Sequence, residues 1–227
     1  MSPLPDGSLA RRCVAEAFGT FALVFAGCGA IVVDSEGGGS LGATGIAAAF
    51  GLAVMVMVYA IGHVSGAHIN PAVTAAFAAT RHFPARDALV YVPAQLGGAV
   101  AAALLLRYAW EGTPAKLGAT VPSVDRGPAF VYELVLTAFL MFVIVAVATD
   151  TRAVGAAAAI AIGGTVALDS LVGGGVTGAS MNPARSFGPA LVASEWTEFW
   201  IYVLAPLTGA LAGAVLYGLV RQSDARS

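Results

Sequence analysis

Apolar residues in this chain run in long blocks instead of alternating with polar ones. Six blocks, at 12–33, 42–62, 87–109, 129–149, 154–173 and 198–220, each approach the roughly 20 residues that a helix needs to cross the hydrocarbon core of a bilayer. Two further apolar blocks, Asn70 to about Thr80 and Asn182 to about Ala193, have only about half that length. They are predicted to enter a membrane as half-helices without crossing it. Both begin with Asn-Pro-Ala, at Asn70-Pro71-Ala72 and Asn182-Pro183-Ala184. Asn is a strong N-cap, Pro suits the first helical position because its missing N–H would be unpaired there, and Ala propagates the helix. Each tripeptide therefore reads as a helix start, with Gly-containing irregular backbone ahead of it.

The tripeptides sit in matching frames, Ser65-Gly66-Ala67-His68-Ile69-Asn70-Pro71-Ala72-Val73-Thr74 and Thr177-Gly178-Ala179-Ser180-Met181-Asn182-Pro183-Ala184-Arg185-Ser186. Other features repeat as well. Glu16 and Thr20 in the first block correspond to Glu133 and Thr137 in the fourth, and Leu96 with Gly98-Ala99 corresponds to Leu207 with Gly209-Ala210. Residues 1–227 are thus expected to form one domain: a repeat over about 10–110, a connector over about 111–128 and a second repeat over about 129–221. Three crossings per repeat is an odd number, so the second repeat is inverted and the half-helix N-termini meet near the midplane. The expected fold class is an all-α membrane protein with six transmembrane helices and two re-entrant half-helices in an inverted 3+3 repeat.

Composition agrees with a lipid-facing exterior: 58% hydrophobic and 11% charged residues, with a mean hydropathy of +0.83. A net charge of -2 and the absence of a basic stripe argue against nucleic acid as a partner. Glu16 and the length of the first block speak against a cleaved secretory signal. With Cys13 and Cys28 alone, packed thiols are expected instead of a disulfide framework. No His, Cys and carboxylate cluster has ligand or nucleophile spacing, so no metal, no cofactor and no enzymatic activity are expected. Placing Arg11, Arg12, Arg81, Arg86, Arg152, Arg221 and Arg226 on one side leaves Arg107, Lys116 and Arg126 on the other. Both termini are then cytoplasmic, in a plasma (inner) membrane. Arg185 is left at membrane depth, where an Arg is costly and functional by default.

These frames, together with Ala15-Glu16-Ala17-Phe18-Gly19-Thr20-Phe21, Gly62-His63-Val64, Pro93-Ala94-Gln95-Leu96-Gly97-Gly98 and Phe187-Gly188-Pro189, resemble the aquaporin, or major intrinsic protein, family along nearly the whole chain. The resemblance implies a right-handed bundle with one pore per subunit and a homotetramer in the bilayer. It also implies a narrow filter of Phe50, Ser170, Ala179 and Arg185. Water channels of the family typically carry His where this chain has Ser170, so a wider filter is expected. The glycerol branch carries Trp at the position of Phe50, an aromatic at Ala179 and Asp at Ser186, none of which occurs here. The expected cargo is water first, with small neutral solutes such as glycerol, ammonia or arsenite; the alternatives are a glycerol facilitator and an ion-coupled secondary transporter. The last would need a carboxylate at its central site, where this chain has two Asn.

Each Asn is expected to cap its own helix through its side-chain oxygen and to leave its amide free to donate to a permeating oxygen. A water held by both amides has its hydrogens turned outward and cannot relay a proton. The positive ends of the half-helix dipoles, each about half an elementary charge, repel cations at the same place. Aquaporin-type pores are the known instance of this physics, so it comes with the resemblance and not from the residues alone. Carbonyls of Gly62, His63, Val64 and Ser65 and of Gly173, Gly174, Gly175 and Val176 are expected to line the pore as acceptors. Glu16 and Glu133 are expected to brace the re-entrant loops, His63 to tether one with its carbonyl toward the pore or, as the alternative, to act as a pH gate, and Asp169 either to line the pore or to brace a loop. Neither Cys is placed near the filter, so thiol reagents are expected to inhibit weakly.

Overall fold

A computed structural model describes residues 8–149 and 157–221. The start of the fifth block, at 154–156, lies outside those residues. Eight α-helices are present among the described residues: α1 (Leu9–Glu36), α2 (Gly42–Ser65), α3 (Pro71–Ala79), α4 (Ala85–Ala109), α5 (Arg126–Thr149), α6 (Ala158–Thr177), α7 (Pro183–Ala193) and α8 (Ile201–Val220). Six of them are long and apolar enough to cross a membrane. The two short ones, α3 and α7, begin where the tripeptides place them, after Asn70 and Asn182 in extended conformation (φ -156° and -148°).

Glycine sets how closely the long helices approach. On α4, a Cβ added to Gly98 would lie 2.0 Å from the carbonyl oxygen of Ala17 on α1. The inverted half repeats this contact between α8 and α5, where Gly209 and Gly213 would meet the carbonyls of Leu134 and Ala138 at 2.3 and 2.1 Å. The Gly209–Gly213 frame thus packs inside the subunit. Across the middle, Gly51 of α2 and Gly163 of α6 would each strike the other's carbonyl, at 2.6 and 2.5 Å. In a membrane, where lipid is as apolar as Leu, such backbone approach replaces the hydrophobic effect as the source of helix association. Val14, Phe18, Leu52, Leu89, Val131 and Leu219 are exposed on the outside of the bundle.

The connector between the halves contains a tight turn, Pro114–Gly118, whose residues Ala115, Lys116 and Leu117 have φ of 46°, 49° and 54°. Left-handed backbone at consecutive non-glycine residues is strained and persists only where surrounding contacts hold it. Leu117 is fully buried, which anchors the turn over the centre of the bundle.

Candidate functional site

Between each long helix and its half-helix the chain must reverse inside the membrane. The reversal starts at Gly66 (φ 89°) and Gly178 (φ 85°), left-handed C-caps that glycine adopts without strain. Beyond them Ala67 and Ile69 (φ 48° and 43°) match Ala179 and Met181 (φ 43° and 53°). These residues cannot satisfy their own N–H groups in a helix, and a carboxylate does it for them. Glu16 accepts from Ser65 Oγ (2.7 Å), His68 N (2.9 Å), Ile69 N (2.6 Å) and Gln95 Nε2 (2.8 Å). Glu133 accepts from Thr177 Oγ (2.6 Å), Ser180 N (2.8 Å) and Met181 N (2.8 Å). Tyrosines complete the frame: Tyr91 donates to Ser65 O and Tyr202 to Thr177 O.

Braced in this way, the two loops bring the Asn residues together at the centre. Oδ1 of Asn70 accepts from Ala72 N at 2.8 Å, and Oδ1 of Asn182 accepts from Ala184 N at 3.0 Å and Arg185 N at 3.4 Å. Their amides are not wholly free. Nδ2 of Asn70 donates to Met181 O, and Nδ2 of Asn182 donates to Ile69 O, both at 2.8 Å. An amide carries two hydrogens, so one on each Asn ties the halves together and the other remains for a ligand.

A cavity of about 460 Å³ borders both asparagines. At one end it is lined by His63, Ala148 and Ala158, at the other by Phe50, Ser170, Ala179 and Arg185. Pro71, Ala72, Pro183 and Ala184 are buried behind the asparagines. Arg185, only 2% exposed, donates from Nη1 to Gly118 O at 2.6 Å and lies 4.9 Å from the centre of the Phe50 ring. Its Nε has no hydrogen-bond partner among the described residues.

The expected acceptor ladder is displaced by one turn. Gly62, His63, Val64 and Ser65 form the last turn of α2, and Gly173, Gly174, Gly175 and Val176 belong to α6. Several of their carbonyls are already occupied: Gly62 O by Gly66 N, Gly174 O by Gly178 N, Gly175 O by Ser123 Oγ and Val176 O by Ser123 N. Only Gly62 and His63 of this group border the cavity; the irregular segments that do are Gly66–Ile69 and Ala179–Met181. A glycine run does not end a helix at membrane depth, because the freed backbone groups would find no water.

Cys28 is also placed differently from the sequence expectation. Fully buried, it donates from Sγ to Gly118 O at 3.8 Å, against the same carbonyl that holds Arg185. Asp169 is 2% exposed and does not border the cavity, and its Oδ2 has no partner among the described residues. His63 lines the cavity and has no hydrogen bond tying it to a loop among the described residues, whereas His68 is buried with Nδ1 at 3.1 Å from Thr74 Oγ. Sequence reasoning missed Gly118 and the hydroxyl chain Thr120–Ser186–Ser180 (2.8 and 2.6 Å), which fastens the connector to α7. The left-handed Gly118 carries no local signal beyond its residue type.

Comparison with known proteins gives a single direction. A family model for major intrinsic proteins matches residues 5–217. The chain is 51% identical to Nodulin-26 of Glycine max over 214 residues, covering 94% of this chain and 79% of the relative. It is 50% identical to Aquaporin NIP1-1 of Zea mays, over 93% of this chain and 75% of the relative. Among solved structures, the aquaglyceroporin from Plasmodium falciparum superimposes with a TM-score of 0.83 at 28% identity, covering 94% of this chain and 97% of that one.

Proposed function

The chain belongs to the major intrinsic protein family, and we infer from that membership and from its lumen that it is a multi-pass membrane channel conducting water and small neutral solutes passively. It is a channel and not an enzyme. The observation that carries this reading is the pair of asparagines, tied across the halves and bordering one cavity that reaches from His63 to Arg185.

One free hydrogen on each Asn amide donates to a molecule passing the centre. A water that accepts there presents both of its hydrogens outward, which breaks a proton wire. The N-termini of α3 and α7 converge on the same point, and their dipoles oppose cations. Arg185 adds a fixed positive charge toward one mouth. Carbonyls of Gly66–His68 and of Ala179 and Ser180, in the segments that border the cavity, supply acceptors on either side of the amides.

The filter of Phe50, Ser170, Ala179 and Arg185 has one aromatic ring, one small hydroxyl and one methyl opposite the guanidinium. That set is wider than one with an imidazole at position 170, and it supports passage of glycerol-sized neutral solutes beside water. Counting basic residues places both termini in the cytoplasm of a plasma-membrane protein, and the assembly is four copies, each with its own pore.

Stopped-flow light scattering on proteoliposomes tests the reading. Water flux above protein-free vesicles, independent of any ion gradient and without ionic conductance, is the expected result. Flux that requires a proton or sodium gradient would instead support a coupled transporter.

A further inference from the structure

Arg185 sits near the start of α7, and Glu195 lies just beyond the end of the same half-helix, where its N–H donates to Ala190 O at 2.9 Å. The turn Pro114–Gly118 reaches both. Gly118 O accepts from Arg185, and Lys116, two residues earlier, pairs with the Glu195 carboxylate. That carboxylate is also held by Thr197 N at 3.0 Å. The turn between the two contacts is the strained one, with Ala115, Lys116 and Leu117 all left-handed. Gly118 itself (φ 74°) is pressed against α1, where an added Cβ would lie 2.9 Å from Cys28 Cβ. Backbone held this far from its preferred conformation persists only where surrounding contacts hold it, and the Lys116–Glu195 pair is one of those contacts, two residues from the carbonyl that holds Arg185.

We propose that Lys116 and Glu195 are positioning residues for the filter: their ion pair straps the strained turn to the far end of α7, fixes the carbonyl on which the Arg185 guanidinium rests, and so sets discrimination between water and larger neutral solutes. The strap has no counterpart in the first half, where the residue matching Arg185 is Val73. Lys116 is 60% exposed along its side chain, so the pair is modest in energy and open to screening by salt. This inference rests on the channel reading above.

The test compares glycerol and water permeability in the same proteoliposomes, because their ratio does not depend on how much protein inserts. Glu195→Gln and Lys116→Met are each expected to raise the glycerol-to-water ratio by about two- to fivefold, the range of a partly exposed pair. The swapped pair, Lys116→Glu with Glu195→Lys, is expected to restore the ratio toward that of the original protein. Salt at about 1 M on both sides of the membrane, where screening acts within about 3 Å, is expected to raise the ratio in the original protein and not in Lys116→Met. An unchanged ratio in the single variants, a swapped pair as altered as either of them, or no salt effect on the original protein overturns the strap. An original protein that passes no water overturns the channel reading itself, a result distinguishable from the others at the first measurement.

Discussion

Asn70 and Asn182 grip each other's loops: each amide donates at 2.8 Å to the carbonyl that immediately precedes the other asparagine, Met181 O and Ile69 O respectively. The centre of the channel is therefore a reciprocal clasp as well as a pair of donors. Either asparagine replaced by Ala loses a helix cap and leaves a buried carbonyl unpaired. Asn70→Ala and Asn182→Ala are each expected to cost about 2–4 kcal/mol, seen as lower midpoints of thermal unfolding in detergent. A large effect at one position with none at the other would contradict the clasp.

The carboxylates behind the loops differ in load. Glu16 accepts four hydrogen bonds and Glu133 three, because Gln95 reaches Glu16 while the corresponding position in the second half is Pro206. A Gln in place of either would turn an NH2 toward N–H donors. Glu16→Gln is expected to destabilise by about 3–5 kcal/mol and Glu133→Gln by less, since each bond to a charged group contributes about 1.5–3 kcal/mol. Folded yield and detergent melting of the two variants give the comparison.

Ser170 borders the cavity alongside Phe50, Ala179 and Arg185. Ser170→His fills part of that cross-section and is expected to reduce glycerol permeability at least about tenfold while water flux changes less, because pore width and lining groups set selectivity. Equal glycerol flux in both proteins would remove Ser170 from the filter.

Gly27 leaves room for the Phe50 ring: a Cβ there would lie 2.1 Å from Cε1 of Phe50. Gly27→Ala must displace the aromatic ring, at an overpacking cost of about 1–3 kcal/mol. The expected readout is a change in the glycerol-to-water ratio larger than any change in folded yield, measured by light scattering on matched preparations.

Hydrogen bonds from Lys116 and from Thr197 hold the Glu195 carboxyl at about 2, below its ordinary 4.5. A carboxylate with its pKa lowered on folding contributes stability that is fully present above its unfolded value and is lost as pH falls toward the folded one. The difference in melting midpoint between the original protein and Glu195→Gln is therefore expected to be constant between about pH 5 and about pH 8 and to shrink below about pH 4. A difference that grows on acidification would reverse the sign of this argument.

The helix boundaries show where local rules were sufficient. α3 and α7 start at the residues that Asn-Pro-Ala dictates. The breaks before the half-helices were not legible in the same way. The apolar blocks and the glycines predict breaks at Gly62 and Gly173, but α2 and α6 continue to Ser65 and Thr177. Glycine lowers helix propensity in water, yet inside a bilayer an unpaired backbone group costs more than the glycine does. The loop Glu residues were readable because a buried anion demands donors. Cys28 and Gly118 were not, since their meeting with Arg185 joins segments far apart in the chain.

The sequence by itself determined the six crossings, the two half-helices, their inverted pairing and the identity of the groups at the centre, because each follows from apolar length, capping chemistry and repetition within short stretches. Only the tertiary structure decided that the asparagines clasp each other's loops, that the irregular segments bordering the cavity are Gly66–Ile69 and Ala179–Met181, and that a strained turn from the connector carries Arg185. The physical reason is that a hydrogen bond across more than a hundred residues leaves no pattern in the residues between its partners. It exists only once packing has brought donor and acceptor to the same point.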